Sequence, residues 1–360
     1  MVALLTADGN EISLCAWAKP IEGSCFEEFL KIEHVYLPSR LSKLTKGELY
    51  RCNFRASSAL KKCLKDYKPD IIINAIDEPA VFRVAHPTVK KIQFCHFPIQ
   101  LQQLFGFQQY DLPHLIYRLP YQYLIYRELK KLDAIICNSK YTLNAVRLLW
   151  KYHVPKDSLH VIHPAINTTM FEKKIKKEHK ICYIGRIAPN KGIEYAINAF
   201  LKLNKKTGAS FEIVGGGLVW NRSYCEERIK PRVLKLQRDG VPIKLSVDVP
   251  YSQIVETLLT SKLLVSYNPD EHFGIVPIEA QAGGCVPIVA LGGGQNETVK
   301  HGVTGFLANS PEIIADYALS VLNDDKLQLK MSQAAREWAS TFSREKIAHK
   351  WIDLFKKLTA

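Results

Sequence analysis

Ile181-Cys182-Tyr183-Ile184-Gly185-Arg186-Ile187-Ala188-Pro189-Asn190-Lys191-Gly192-Ile193 is the stretch on which the fold turns. Four residues suited to a buried strand run into a loop that opens and closes on glycine. Helical periodicity follows over 193–203. Strand, short loop and helix in that order make the repeating half of a parallel α/β layer. Towards the C-terminus the alternation continues, with strands expected over 211–214, 243–247, 263–267 and 286–290 and helices over 222–238, 254–261 and 313–322. Towards the N-terminus, strands are expected over 2–6, 71–76, 92–95, 134–137 and 161–163. Several are apolar throughout, as strands covered on both faces are. Two amphipathic helices, 326–342 and 344–358, form the tail, with a break at Ser343. The expected architecture is two α/β sheets joined by the polar, Lys-rich stretch 164–180, with a ligand site at the carboxyl ends of the strands.

Composition agrees with that reading. The 360 residues suffice for two domains with sizeable cores, and 47% hydrophobic with 23% charged residues excludes a disordered or fibrous chain. No apolar run approaches the roughly 20 residues of a spanning helix. The N-terminus lacks a cationic segment followed by an apolar stretch, so no secretory signal is expected. Nine cysteines stand singly, without a Cys-x-x-Cys pair, which points to reduced thiols in a cytoplasmic protein and away from structural zinc. The net charge of +14 is shared evenly by the two halves and lacks a nucleic-acid-binding motif, so nucleic acid is not an expected partner. Phosphate groups of a nucleotide or a lipid fit the charge better. The run Lys173-Lys174-Ile175-Lys176-Lys177 reads as a solvated connection.

Three strand-to-loop junctions carry chemistry. At the first, Gly185 permits close backbone approach while Arg186 and Lys191 put two cations at the mouth of a strand, which suits a diphosphate. A turn with two solvated cations has the same pattern. At the second, Asn268-Pro269-Asp270-Glu271-His272-Phe273-Gly274-Ile275-Val276-Pro277-Ile278-Glu279-Ala280, two glutamates stand eight positions apart around a helix start. Free amides there welcome phosphate or sugar oxygens, and the carboxylates can accept hydroxyl protons. Alternatively Glu271 caps the helix and Glu279 is solvated, although the apolar neighbours of Glu279 argue for a partner. At the third, Gly292-Gly293-Gly294-Gln295-Asn296-Glu297 precedes His301-Gly302-Val303-Thr304-Gly305-Phe306-Leu307; with Gly215-Gly216-Gly217, these glycines fit close approach or a flexible loop.

Together, Gly-Arg-(x)4-Lys-Gly, Glu-(x)7-Glu, Gly-Gly-Gly-x-x-Glu and His-Gly-x-Thr-Gly-x-Leu resemble the retaining GT-B glycosyltransferases of family four over nearly the whole chain. Phe94-Cys95-His96-Phe97-Pro98, Tyr117-Arg118-Leu119-Pro120, Cys137-Asn138-Ser139 and Ile162-His163-Pro164 are similar to the Alg-type mannosyltransferases that extend dolichol-linked oligosaccharides.

The resemblance implies two Rossmann-like domains facing across a cleft: an acceptor-binding domain over 1–164, a nucleotide-sugar-binding domain over 165–342, and a helix, 343–360, crossing back to the first. Arg186 and Lys191 would hold the diphosphate and stabilise the leaving group, with Gly185 beside them. Glu279 would bind the ribose. Glu271, with backbone amides near Phe273, Gly274 and Ile275, would hold the sugar, and His96 would position it. Taken alone, His96 reads as a satisfied core histidine. The reaction on one face of the sugar calls for no carboxylate base, and without an Asp-x-Asp motif no metal or cofactor is expected. The implied function is transfer of mannose from GDP-mannose to a lipid-linked saccharide. The alternatives are a UDP-sugar-dependent glucosyl- or N-acetylglucosaminyltransferase, or a catalytically weak sugar-nucleotide-binding subunit.

Two further expectations concern the first half. Segment 114–131 mixes Leu, Ile and Tyr with Arg118, Arg127, Lys130 and Lys131, which suits either a membrane interface or core packing; Lys61, Lys62 and Lys65 tip the balance towards an anionic, cytosolic membrane surface. Against the family pattern, the chain opens at what reads as the second strand, 2–6, so the first β-α unit is expected to be missing, most simply through a start placed too late.

Overall fold

The computed structural model describes residues 9–16, 19, 30–38, 48–76, 79–98, 112–155, 157–173, 175–216 and 222–360, and the side chains among them other than those of 48–53 and 112–118. The backbone divides into two compact units: Met1–His163 with Glu345–Ala360, and Pro164–Arg344. The strand expected over 2–6, and with it the question of a missing first unit, lies outside the described residues.

In the first unit, β1 (Ser13–Cys15) and β2 (His34–Tyr36) pair in parallel as a short ribbon. Helix α1 (Glu48–Asp66) leads to a four-stranded parallel sheet of β3 (Ile71–Asn74), β4 (Lys90–Cys95), β5 (Ala134–Cys137) and β6 (Leu159–Val161), in that spatial order. Register sets Cys95 opposite Cys137 and Cys137 opposite Val161. Between strands run α2 (Leu112–Leu129) and α3 (Lys140–Trp150). Ser139 caps α3, its hydroxyl accepting the Thr142 amide at 3.0 Å. Thr142, Val146 and Trp150, spaced by four, turn inward from α3. Ile125 and Leu129 of α2 join Val146, Trp150 and Ile135 in one core. Core packing and exposure thus divide α2 between them: Tyr121, Ile125 and Leu129 are buried, while Leu119 and Tyr123 are exposed.

The second unit holds a six-stranded parallel sheet. Its elements, in chain order, are β7 (Glu178–Ile184), α4 (Ile193–Thr207), β8 (Ser210–Gly215), α5 (Lys230–Arg238), β9 (Ile243–Val247), α6 (Tyr251–Thr260), β10 (Ser261–Val265), α7 (Ile275–Ala282), β11 (Val286–Ala290), α8 (Gln295–Thr298), β12 (Phe306–Ala308), α9 (Pro311–Leu322) and α10 (Asp325–Ala339). The spatial order is β12-β11-β10-β7-β8-β9. From β7 the chain winds one way through β8 and β9, then returns to β10 and winds the other way. The order therefore reverses between β7 and β10, and loops leaving their carboxyl ends diverge to leave a crevice. Alternate side chains of β7 serve the two helix layers, Ile181 and Tyr183 on one face, Cys182 and Ile184 on the other. After α10, α11 (Arg344–Thr359) belongs to the first unit from Glu345 onward. There it buries Ile347, Trp351 and Leu354, the Trp351 ring 5.9 Å from that of Phe94.

Most expected strands are found within two residues of their sequence positions; β1, β2 and β12 were not anticipated. The helix expected over 222–238 is present and continuous, but it is not regular throughout: a π-helical turn at Tyr224–Ile229 leads directly into α5. Pro231 lacks the amide that a regular helix would bond to residue 227, and the wider turn absorbs the loss. Among the described residues no helix is long and apolar enough to cross a membrane.

Candidate functional site

The loops following β7 and β10 flank the reversal point and bring the predicted donor residues together. The first is fixed from below. The buried Tyr183 hydroxyl lies 3.2 Å and 3.1 Å from the carbonyl oxygens of Arg186 and Lys191, spanning the loop. The Gly185 and Ile187 amides donate to Val214 and Gly216 at the end of β8. Gly192, at φ 70°, closes the loop, and a Cβ there would overlap the Tyr267 carbonyl oxygen. Glycine is thus required twice over, by dihedral angle and by space. On this frame Arg186 is exposed, with no hydrogen bond or ion pair to its guanidinium among the described residues.

Lys191 reaches across to the second loop, where its ammonium bonds Glu271 Oε2 at 2.7 Å. Both side chains are half-buried, 18% and 30% exposed, so the pair still meets solvent. Asn268 Nδ2 donates to the same carboxylate oxygen at 3.1 Å. Buried Gln295 donates to the Asn268 carbonyl at 2.9 Å, and the Gly294 amide to the Glu271 carbonyl at 2.7 Å. The triple glycine explains itself here. Added Cβ atoms on Gly292, Gly293 and Gly294 would meet the carbonyl oxygens of Pro269, Glu271 and His272. The close approach it permits is to the chain's own 268–273 loop, which carries Glu271.

Gly274, at φ 91°, is the N-cap of α7, leaving the Ile275 and Val276 amides at a helix start without intrahelical partners. Ile275 is exposed, whereas the Phe273 ring is buried against Phe342, so only the backbone of Phe273 can serve a ligand. Glu279 lies one turn further along α7. Burial pushes its carboxyl up to about 7, partly offset by the Tyr251 hydroxyl, which donates to Oε1 at 2.5 Å. Neither a solvated Glu279 nor a helix-capping Glu271 describes this arrangement: the one has the Tyr251 hydroxyl as its partner, the other a lysine.

The far end of α7 is held as firmly as the near one. Lys177 donates to the carbonyls of Gly283 (2.7 Å) and Leu258 (2.9 Å), and Arg336 to those of Ala282 (2.7 Å), Gly283 (2.8 Å) and Phe171 (3.2 Å). Two cations meet the negative end of the helix. Lys177 therefore departs from the solvated run expected over 173–177: burial drives its ammonium down to about 8. Its neighbours hide this in the sequence: among the described residues of the run, Lys177 alone falls where two helix ends converge. Tyr183, Asn268, Tyr251 and Gln295 were also missed. A tyrosine two residues before Gly185, set among Ile181, Cys182 and Ile184, is the one local signal that marked any of them.

The motif at 301–307 is structural. His301 Nδ1 accepts the Leu307 amide at 3.1 Å, and the Thr304 hydroxyl accepts the Lys300 amide at 3.0 Å, closing the turn into β12. Gly217 of the other glycine run lies outside the described residues, as do the side chains of Tyr117 and Arg118.

His96 belongs to the first unit, directly after β4. Read alone it suggested a core histidine; the ring is exposed instead, held edge-on by Phe94 at 4.8 Å, while the Thr142 hydroxyl donates to its backbone carbonyl at 3.0 Å.

Two family models match the chain, glycosyltransferase family 4 over residues 2–170 and glycosyl transferases group 1 over residues 166–338. An alpha-1,3/1,6-mannosyltransferase of Neurospora crassa is 27% identical over 76% of this chain and 65% of its own length. A human GDP-Man:Man(3)GlcNAc(2)-PP-Dol alpha-1,2-mannosyltransferase is 28% identical over 63% of this chain and 49% of its own. The matched stretch thus spans one-half to two-thirds of these curated relatives. Among solved structures, Anabaena HepE in complex with UDP and glucose superimposes with a TM-score of 0.69 at 16% identity, over 96% of this chain and 91% of that one. With the two models meeting end to end and the parallel sheets of the GT-B fold in place, the chain belongs to the family 4, group 1 glycosyltransferases.

Proposed function

We propose that the chain transfers a mannosyl group from GDP-mannose to a lipid-linked saccharide, with retention of anomeric configuration, at the cytosolic face of a membrane. The observation that carries this reading is the convergence of Arg186, the Lys191–Glu271 pair and the start of α7 where the sheet order reverses. Arg186 and Lys191 bind the diphosphate and stabilise the charge that grows on it as the glycosidic bond breaks. On donor binding Lys191 divides its ammonium between Glu271 and phosphate, and Glu271 turns its free oxygen to sugar hydroxyls. The ribose hydroxyls donate to Glu279, whose Oε2 has no donor among the described residues. The amides of Ile275 and Val276 face the donor's phosphate or sugar oxygens. The domain over 1–164 carries the acceptor site, that over 165–342 the donor site, and the exposed His96 ring positions the transferred sugar. Both relatives are named as mannosyltransferases, and the name of the human one supports GDP-mannose and a dolichol-linked acceptor.

The Anabaena structure, which holds UDP and glucose, favours a second reading in which the donor is a UDP-sugar. Thermal shift with GDP, UDP and ADP separates the bases, since the ligand that binds the folded state stabilises it. Stabilisation by GDP, followed by turnover of GDP-mannose on a dolichol-linked acceptor, is the expected result. Stabilisation by UDP alone would overturn the donor assignment, and binding without turnover would leave a binding subunit.

A further inference from the structure

The four most exposed large apolar side chains among the described residues are Leu119 (64%), Tyr123 (67%), Leu148 (74%) and Tyr152 (84%). All four lie on α2, on α3 or one turn beyond it, within the first unit. Leu119, Tyr123 and Tyr126 follow the i, i+4, i+7 spacing of one helix face, opposite the buried Tyr121, Ile125 and Leu129. Leu148 and Tyr152 likewise share a face, turned away from the buried Val146 and Trp150. The two faces meet where the Tyr126 ring stacks on His153 at 4.1 Å. They form one patch, and water is a poor solvent for it.

Its charge is one-sided. Lys130, Arg147 and Lys151 are exposed around the apolar residues, with no ion pair to an acid among the described residues. The one acid in 119–131 and 140–155, Glu128, is buried and bridged by Arg127 (2.8 Å) and Lys131 (3.1 Å), so no carboxylate on these helices faces outward. Lys151 lies 5.3 Å from the Tyr152 ring centroid. Aromatic rings with polar tips, aliphatic side chains and a ring of cations without anions together match the boundary between acyl chains and anionic headgroups.

We propose that this α2–α3 face docks on an anionic lipid bilayer, with Leu119, Tyr123, Leu148 and Tyr152 entering the headgroup layer and Lys130, Arg147 and Lys151 meeting lipid phosphates. It rests on the proposed function only in that a lipid-linked acceptor must be met at such a surface.

Co-sedimentation of the full chain with vesicles tests the surface apart from the chemistry. Vesicles of phosphatidylcholine with about one-third phosphatidylserine, carrying no glycolipid, are expected to bind the protein, and pure phosphatidylcholine to bind it far less. Arg147→Gln with Lys151→Gln should lower the partition coefficient about 30-fold, from two lost phosphate contacts. Leu148→Ser with Tyr152→Ser should lower it about tenfold or more. Both pairs are exposed, so melting temperature and transfer to a short-chain, water-soluble acceptor should stay at wild-type values. Equal binding of wild type and both double variants, or none to anionic vesicles, would overturn the assignment. Retention on polyglutamate without vesicle binding would also overturn it, in favour of an acidic protein partner. Loss of transfer to the soluble acceptor by wild type would count against the proposed function while leaving the vesicle result standing.

Discussion

At the scale of single residues, the site is built from charges whose states the fold has already set. Arg186 is exposed and Lys191 shares its ammonium with Glu271, which leaves both free for the diphosphate role proposed above. Replacing either by Ala should lower kcat about 10²–10³-fold, about 3–4 kcal/mol of transition-state stabilisation, with melting temperature little changed; steady-state kinetics beside a thermal melt checks it. Glu279 gives a pH signature. Its carboxyl is raised from 4.5 to about 7, so the folded state holds a proton that the unfolded state has released. That contribution to stability is fully present below pH 4.5 and is lost as pH rises through 7. If Glu279 accepts from ribose hydroxyls as proposed, it must do so as the ionised carboxylate, and nucleotide binding runs the opposite way. Affinity for the nucleoside diphosphate should rise between pH 6 and 8, with proton release on binding, and Glu279→Gln should abolish both effects; calorimetry in buffers of different ionisation enthalpy reads them. A slope unchanged in the variant would remove Glu279 from the binding site.

At the scale of elements, what the sequence disclosed follows from the range of the forces involved. Strands such as 134–137 and 286–290 were legible because an apolar run covered on both faces is a local property. The positions of Arg186, Lys191, Glu271 and Glu279 beside strand ends and a helix start were legible because each sits at a fixed offset from such an end. Tyr183 and Gln295 were not, because each acts on a loop brought to it by the sheet rather than by the chain. Lys177 was hidden by its own composition: five residues that look solvated include one whose ammonium bonds two helix ends. The glycine runs sit between these cases. Their need for space was plain, but what occupies the space, the 268–273 backbone, is tertiary. Gly192→Ala should therefore damage more than a turn. At φ 70° and against the Tyr267 carbonyl, the new methyl must displace the 185–192 loop. A loss above about 1 kcal/mol in a denaturant titration, together with weakened diphosphate binding, is expected.

At the scale of the whole molecule, the two units differ in how the chain supplies them. The second is one continuous stretch, Pro164–Arg344, while the first is assembled from Met1–His163 and Glu345–Ala360. Ending the chain after Ser343 should leave the second unit folded and strip the first of Ile347, Trp351 and Leu354, all buried. Losing Trp351 alone is worth about 3–5 kcal/mol of packing. Hydrogen exchange should show protection retained across β7–β12 and lost across β3–β6; retention in both would mean that α11 is dispensable. During synthesis the same division sets an order of events. A ribosome adding about 5–20 residues per second must translate all of 164–344 before the segment that covers Phe94 exists. The unit translated first thus waits for its last piece, its sheet uncovered beside Phe94, while the unit translated second can fold as soon as it leaves the exit tunnel. A chaperone that holds nascent chains would find its substrate in the first half, during the interval set by the length of the second.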